Sequence, residues 1–274
     1  ELDLSNVDII DSGYNAIYGN NIDVLSMDDV TISATGGSPT RQAGAVFEMA
    51  STAKMDTADI NDLEVSAPFT DGLMNLNAEV SYSLTNIDLQ DLSDQGIVMA
   101  SGGSSATSAG PYGPDAVVSN VDVTGATSDG LRIVRSSPGT LTDVDLSDTG
   151  GGLEFDGIVS MTRAAHYDTV TAPSIAFTDS TGWDVHIADV TLSDASGSGG
   201  TDSTVVVNGR SSGTSKVVID GGTLAAPQGD GDWFQVSDAT LSVGGITIDN
   251  TPSNDVAIVG ANGELRLIGI EMGS

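Results

Sequence analysis

Cysteine is missing from this 274-residue chain, which removes disulfides and thiolate metal sites and leaves the redox compartment unreadable. Basic residues are scarce: eight Lys and Arg stand against 39 Asp and Glu, a net charge of −31. A surface this negative repels nucleic acid and anionic lipid, and no basic patch in the sequence offsets it, so no nucleic-acid partner is expected. Aromatic residues make up only 4%, so the core has to be built from Val, Ile, Leu and Ala. No apolar run approaches the roughly 18 residues of a membrane span, and direct membrane insertion is not expected. The chain starts at Glu1 without a leader-like stretch and reads as a segment of a longer protein.

What is abundant is aspartate and glycine. Asp dominates the acids while Lys54 and Lys216 are the only lysines. That balance suits a salty habitat, because the screening length shrinks to about 3 Å at 1 M ionic strength. Specific cation binding, with Ca²⁺ as the natural hard cation, is the competing explanation. The 34 glycines, with many Ser, Thr, Asp and Asn, supply turn chemistry throughout and leave no long helix-forming stretch.

The organisation is a repeat. "SNVDII" at 5–10 returns as "TNIDLQ" at 85–90, "SNVDVT" at 119–124 and "TDVDLS" at 142–147. Centred on the residue between two aliphatics, eleven registers follow: Asp8, Thr31, Glu64, Asp88, Asp122, Asp145, Thr171, Thr191, Thr223, Thr247 and Glu271. The flanking aliphatics, such as Val7 and Ile9 or Val121 and Val123, mark a half-buried strand of period two. Two residues before each centre stand Asn, Asp or Gly, with Thr169 the one exception. Those three types tolerate left-handed backbone, so the column predicts a repeated tight bend. A second strand precedes the bend, with inward pairs such as Leu2 and Leu4.

A third strand follows most centres after a glycine-marked turn, at 15–19, 44–49, 71–76, 95–100, 129–134, 151–156, 203–208, 232–237 and 255–260. Three short strands per turn of about 23 residues make an all-β, single-stranded parallel solenoid of about eleven rungs, a rod of about 50 Å. A sandwich or propeller needs hairpins or blades of about 40 residues instead. Residues 1–274 form one domain on this pattern, with insertions near 33–44, 100–114 and 193–202. With no polar closing segment at either end, the chain is expected to continue into other domains or to stack on other copies.

The Asn/Asp bend, the "NVDI" strand and the "DSG..AI" or "SDG.RI" strand resemble the right-handed parallel β-helix repeats of the pectate-lyase-like superfamily, including its asparagine ladder. The resemblance covers essentially the whole chain and implies the fold; such repeats serve enzymes, tailspikes and adhesins alike, so it does not imply an activity. The "NTD...DD" and "GHG" motifs of the related polygalacturonases are absent from the sequence.

Three groups of residues carry chemistry. The centre column aligns Glu64, Asp88, Asp122 and Asp145 about 4.8 Å apart, a candidate groove for Ca²⁺ or simply a solvated acidic face. His166 and His186, the only histidines, stack on neighbouring rungs with Asp168 nearby, a candidate transition-metal pair lacking an evident third ligand. On the third strand Arg132 aligns with Glu154. Related polysaccharide lyases carry acids and a catalytic Arg on this face, so Arg132, Glu154, Asp156 and Arg163 are the candidates if the chain is an enzyme. Against that, a uronate polymer would be repelled by so negative a surface. We therefore expect a non-catalytic extracellular or cell-surface module, a stalk, adhesin or assembly unit, with polysaccharide, cations or further copies as partners. A polysaccharide lyase or glycoside hydrolase is the alternative.

Overall fold

The computed structural model describes residues 1–12, 14–33, 43–48, 57–66, 69–76, 81–100, 117–134, 139–156, 165–180, 184–193, 203–209, 215–225, 232–248 and 257–272. Every regular element among them is a strand, and no described helix is long and apolar enough to cross a membrane. Of the insertions expected near 33–44, 100–114 and 193–202, residues 34–42, 101–114 and 194–202 lie outside the described residues, as do Arg163 and Trp183.

The strands form two all-parallel sheets. Sheet A has 12 strands stacked in chain order from Leu2–Ile10 to Glu264–Ile268, with Glu271–Met272 pairing on Ala239–Ile248. Sheet B has 10 strands running from Ile17–Asn20 to Ala257–Val259. The chain alternates between the two sheets, so each turn adds one rung to both. This is a parallel β-solenoid.

Sheet A holds the expected register through all eleven centres. Asp8 pairs with Thr31, Thr31 with Glu64, Glu64 with Asp88, Asp88 with Asp122 and Asp122 with Asp145. Asp145 continues to Thr171, Thr191, Thr223, Thr247 and Glu271. The bend is where sequence and structure differ in form. The strands on either side of it run on as one long strand, because a single residue takes positive φ and pairing resumes at once: Ser5 pairs with Asp28, and Val7 with Val30. A rung thus has two sheets rather than three separate strands.

All eleven bend residues have positive φ, from 49° at Asp189 to 89° at Gly221, and Thr169 has 53°. Asn and Asp reach this region at low cost through local side-chain hydrogen bonding, whereas a β-branched residue there is strained. The exposed edge so formed carries a polar ladder. Asn120 donates to Asn86 (2.7 Å) and Asn86 donates to Asn61 (3.0 Å). Asp62, the bend residue on that rung, is a carboxylate and has no proton to give. Its neighbour Asn61 takes over, donating to Asp62 (2.9 Å) and to Asp28 (2.8 Å).

The aliphatics that flank the centres face inward and form one core with the inward residues of sheet B. Burying each such Val, Leu or Ile contributes about 1.5–3 kcal/mol. Aromatics stack in the same interior: Phe155 lies 4.8 Å from Phe177 and 5.5 Å from Tyr167. Trp233 is likewise buried in the core. Glycines let the sheets meet: a Cβ at Gly72 would come within 2.6 Å of Leu89 Cδ1 and 2.8 Å of the Gly96 carbonyl. Sheet B also contains Ile175–Ser180, a rung the glycine signature misses because Pro173 and Ser174 precede it.

Candidate functional site

The chemistry concentrates on the outer face of sheet B. Leu131 and Ile133 point into the core, so Arg132 between them points out. The same alternation on the next rung turns Glu154 and Asp156 outward. Register pairs Arg132 with Glu154 and Val134 with Asp156. Arg132 Nε lies 3.2 Å from Glu154 Oε2, and its terminal nitrogen lies 3.4 Å from Asp156 Oδ2. The Nε–H is not in line with the Glu154 oxygen: it is buried without a hydrogen-bond acceptor, so that contact is an ion pair only. A partly exposed pair of this kind contributes about 0–1 kcal/mol.

Asp129 completes the cluster. It sits where the register shifts before Leu131, opposite Gly152 of the next rung. Gly151 makes the room, since a side chain there would run into the Asp129 carboxylate. Burial pushes the Glu154 carboxyl up to about 7, aided by the Asp129 charge, a hydrogen bond with Asp129 and the Asp156 charge, with Arg132 opposing. Desolvation of the Glu154 carboxyl leads that shift, and the neighbouring charges of Asp129 and Asp156 add to it. The polar line runs on across earlier rungs. The Gln95 amide lies 3.5 Å from Asp129 and the Gln95 backbone N–H donates to Asp71 at 3.3 Å. Burial raises Asp71 to about 6; the Gln95 N–H opposes this and Asp94 adds to it.

Near neutral pH, Glu154 is therefore poised between donor and acceptor of a proton. Arg132, however, is spent on two carboxylates of its own chain, which leaves little charge to neutralise a sugar acid. Sequence reasoning brought out Arg132, Glu154 and Asp156 but missed Asp129, whose only trace is the glycine run 150–152 on the facing rung. The outer face of sheet B is also not bare throughout: Val98 and Val206 occupy outward register positions level with Arg132 and Glu154, yet both are buried.

The acidic column of sheet A is ordered differently. Glu64, Asp88, Asp122 and Asp145 occupy consecutive rungs, and the carboxylates of Asp88 and Asp145 find partners along their own strands. Gln90 donates to both Asp88 oxygens at 2.9 and 3.0 Å, and the Ser147 N–H donates to Asp145 at 2.9 Å. Asp122, between two acids, has its carboxyl raised by burial and then by the charges of Asp145 and Asp88. His166 and His186 stack in register with ring centroids 5.5 Å apart, tilted by 33°. Asp168, two residues along, pairs with Thr142 and Ala188 rather than with a histidine. Among the described residues no three His, Asp or Glu converge closely enough to hold a metal ion. The acids of the column form a ladder of single carboxylates, one to a rung.

Comparison with profiles of protein families, with curated proteins and with solved structures finds no match to this chain.

Proposed function

We propose that this chain is a rigid, non-catalytic β-helix module of an extracellular or cell-surface protein, a spacer that resembles the pectate-lyase-like superfamily in architecture alone. The observation that supports it most is the register itself. Eleven rungs stack in order in sheet A, each displaying one outward residue at the centre. A parallel stack of this kind resists bending because every rung is hydrogen-bonded to the next along two sheets. The net charge of −31 keeps such a rod soluble and apart from anionic surfaces, and it is best tolerated in salty surroundings. Hydroxyl-rich polysaccharide and cations are the partners such a surface admits. The test is incubation with neutral and uronate polysaccharides, following reducing ends and the absorbance of new double bonds. The spacer predicts neither; release that disappears in Glu154→Gln would overturn it.

One observation favours a second reading, a polysaccharide lyase or glycoside hydrolase. Glu154, pushed up to about 7 beside Asp129, Arg132 and Asp156, has the protonation state of a general acid or base at neutral pH. On that reading cleavage depends on Glu154 and Arg132 and follows the Glu154 titration. The self-neutralised arginine weighs against it.

A further inference from the structure

We propose that His166 and His186 together bind one transition-metal ion on the outer face of sheet A, a two-imidazole site whose remaining positions stay open to water or a small ligand. They are the only histidines among 274 residues, and the solenoid sets them on adjacent rungs in direct register. Ala165 and Tyr167 on one strand and Val185 and Ile187 on the next are buried, so alternation turns both imidazoles outward. His166 is exposed and His186 half-buried, which leaves the pair open to ions from solvent.

The distance between the rings suits an ion. Two imidazoles bound to one metal at the tetrahedral angle, through metal–nitrogen bonds of about 2.0–2.1 Å, have their ring centroids about 5.2 Å apart. The rings of His166 and His186 stand 5.5 Å apart and are tilted by 33°. Rotation of the two side chains therefore closes the site with no shift of the strands. Only neighbouring rungs allow this, since a partner one rung further on would stand about 10 Å away along the stack.

The surroundings favour a cation. Asp168 follows His166 by two residues and Asp184 precedes His186 by two, both on the same outer face as the rings. Their charges draw a positive ion toward the pair, with Lys216, opposite Asp184 in register, opposing them. Among the described residues no third His, Asp or Glu comes close enough to complete a protein cage, so water fills the other positions and the ion is exchangeable. Ring nitrogens select Zn²⁺, Ni²⁺ and Cu²⁺ over Ca²⁺ and Mg²⁺, which take oxygen ligands. The column continues as Thr140 on one side and Val218 on the other, neither a nitrogen ligand, so the site takes one ion. It goes beyond the spacer reading and stands separately from it, since a rod without metal can still be a spacer.

The test is calorimetric titration of the whole chain with Zn²⁺ at about 1 M NaCl, where the diffuse pull of the acidic surface is screened, with Ca²⁺ as the control ion. One saturable Zn²⁺ per chain is expected, with no matching Ca²⁺ event. Loss of an outer partner alone weakens metal binding by about 10–100-fold, so His166→Gln and His186→Gln are each expected to weaken it by about ten-fold or more. Val218→His places a third imidazole on the next rung of the same column and is expected to tighten binding by a similar factor, a gain that a misfolded variant would not produce. Absence of saturable Zn²⁺ binding, equal binding of Ca²⁺, binding undiminished in either glutamine variant, or no gain with Val218→His would overturn the proposal.

Discussion

Sheets A and B are built from the same parallel stacking, yet they carry different chemistry. Sheet A repeats one phrase: inward aliphatics, a left-handed bend and one outward residue, in unbroken order from Asp8 to Glu271. Its outward position is free to vary, acidic over rungs 64–145 and threonine over rungs 171–247, with the centres in register throughout and a register shift only beyond them, between Asp145 and Asp148. Sheet B has shorter strands and slips register at Asp129 and again between Thr178 and Ser180. At that slip Asp129 lies close to the Glu154 rung, and burial, with the Asp129 and Asp156 charges adding to it, pushes Glu154 up to about 7. Regular stacking spaces charges about one rung apart; an irregularity is what makes them meet.

The largest expected effect lies where the sheets share their core. Phe155→Ala removes a ring stacked on Phe177 of sheet B and Tyr167 of sheet A and is expected to cost about 3–5 kcal/mol, measured by denaturant unfolding. A loss below about 1 kcal/mol would mean that this interior is not packed as described.

Next come the bends that belong to sheet A alone. Asn120 sits at φ 51°, so Asn120→Val is expected to cost about 1–2 kcal/mol, while Thr169→Asn relieves strain at φ 53° and is expected to stabilise by about 1 kcal/mol. If both changes left the denaturant midpoint where it was, the bend column would not matter energetically.

The pH dependence singles out sheet B. Burial pushes Glu154 up to about 7 from its ordinary 4.5, and Asp71 up to about 6 from 3.8. Both are raised, so the folded state holds protons that the unfolded state has already lost, and stability falls as pH rises from about 4 to 7 and then levels off. Glu154→Gln should flatten the upper part of that fall. An unchanged slope in the variant would remove the Asp129–Glu154 pair from the account.

The smallest effect is expected on the outward column of sheet A. Thr191→Asp, which places a carboxylate at an exposed position in the threonine half of the column, should change stability by less than about 0.5 kcal/mol in high salt. A larger loss would mean that the threonine half of the column does structural work the acidic half does not.

Legibility followed the same divide. Alternation and the Asn/Asp/Gly column revealed every centre and bend of sheet A, because a one-residue slip would turn its core outward and the pattern is therefore strict. The bend itself read as a break between strands, since the sequence signals φ > 0 but not that pairing resumes one residue later. On sheet B the glycine signature found nine of ten strands and missed Ile175–Ser180. Alignment of Arg132 with Glu154 was legible from spacing. The approach of Asp129 was not, because it depends on a bulge and on the missing side chain of Gly151. The acidic column was legible as a column, whereas the in-strand partners of Asp88 and Asp145, Gln90 and the Ser147 N–H, were not.

The central claim is that the chain is one straight solenoid with its centres in a single column. Spin labels on Asp8→Cys and Thr247→Cys test it directly, with no native cysteine to interfere. Nine steps of about 4.8 Å predict a distance of about 43 Å, with a narrow distribution. A separation below about 25 Å, or a broad distribution, would contradict the rod.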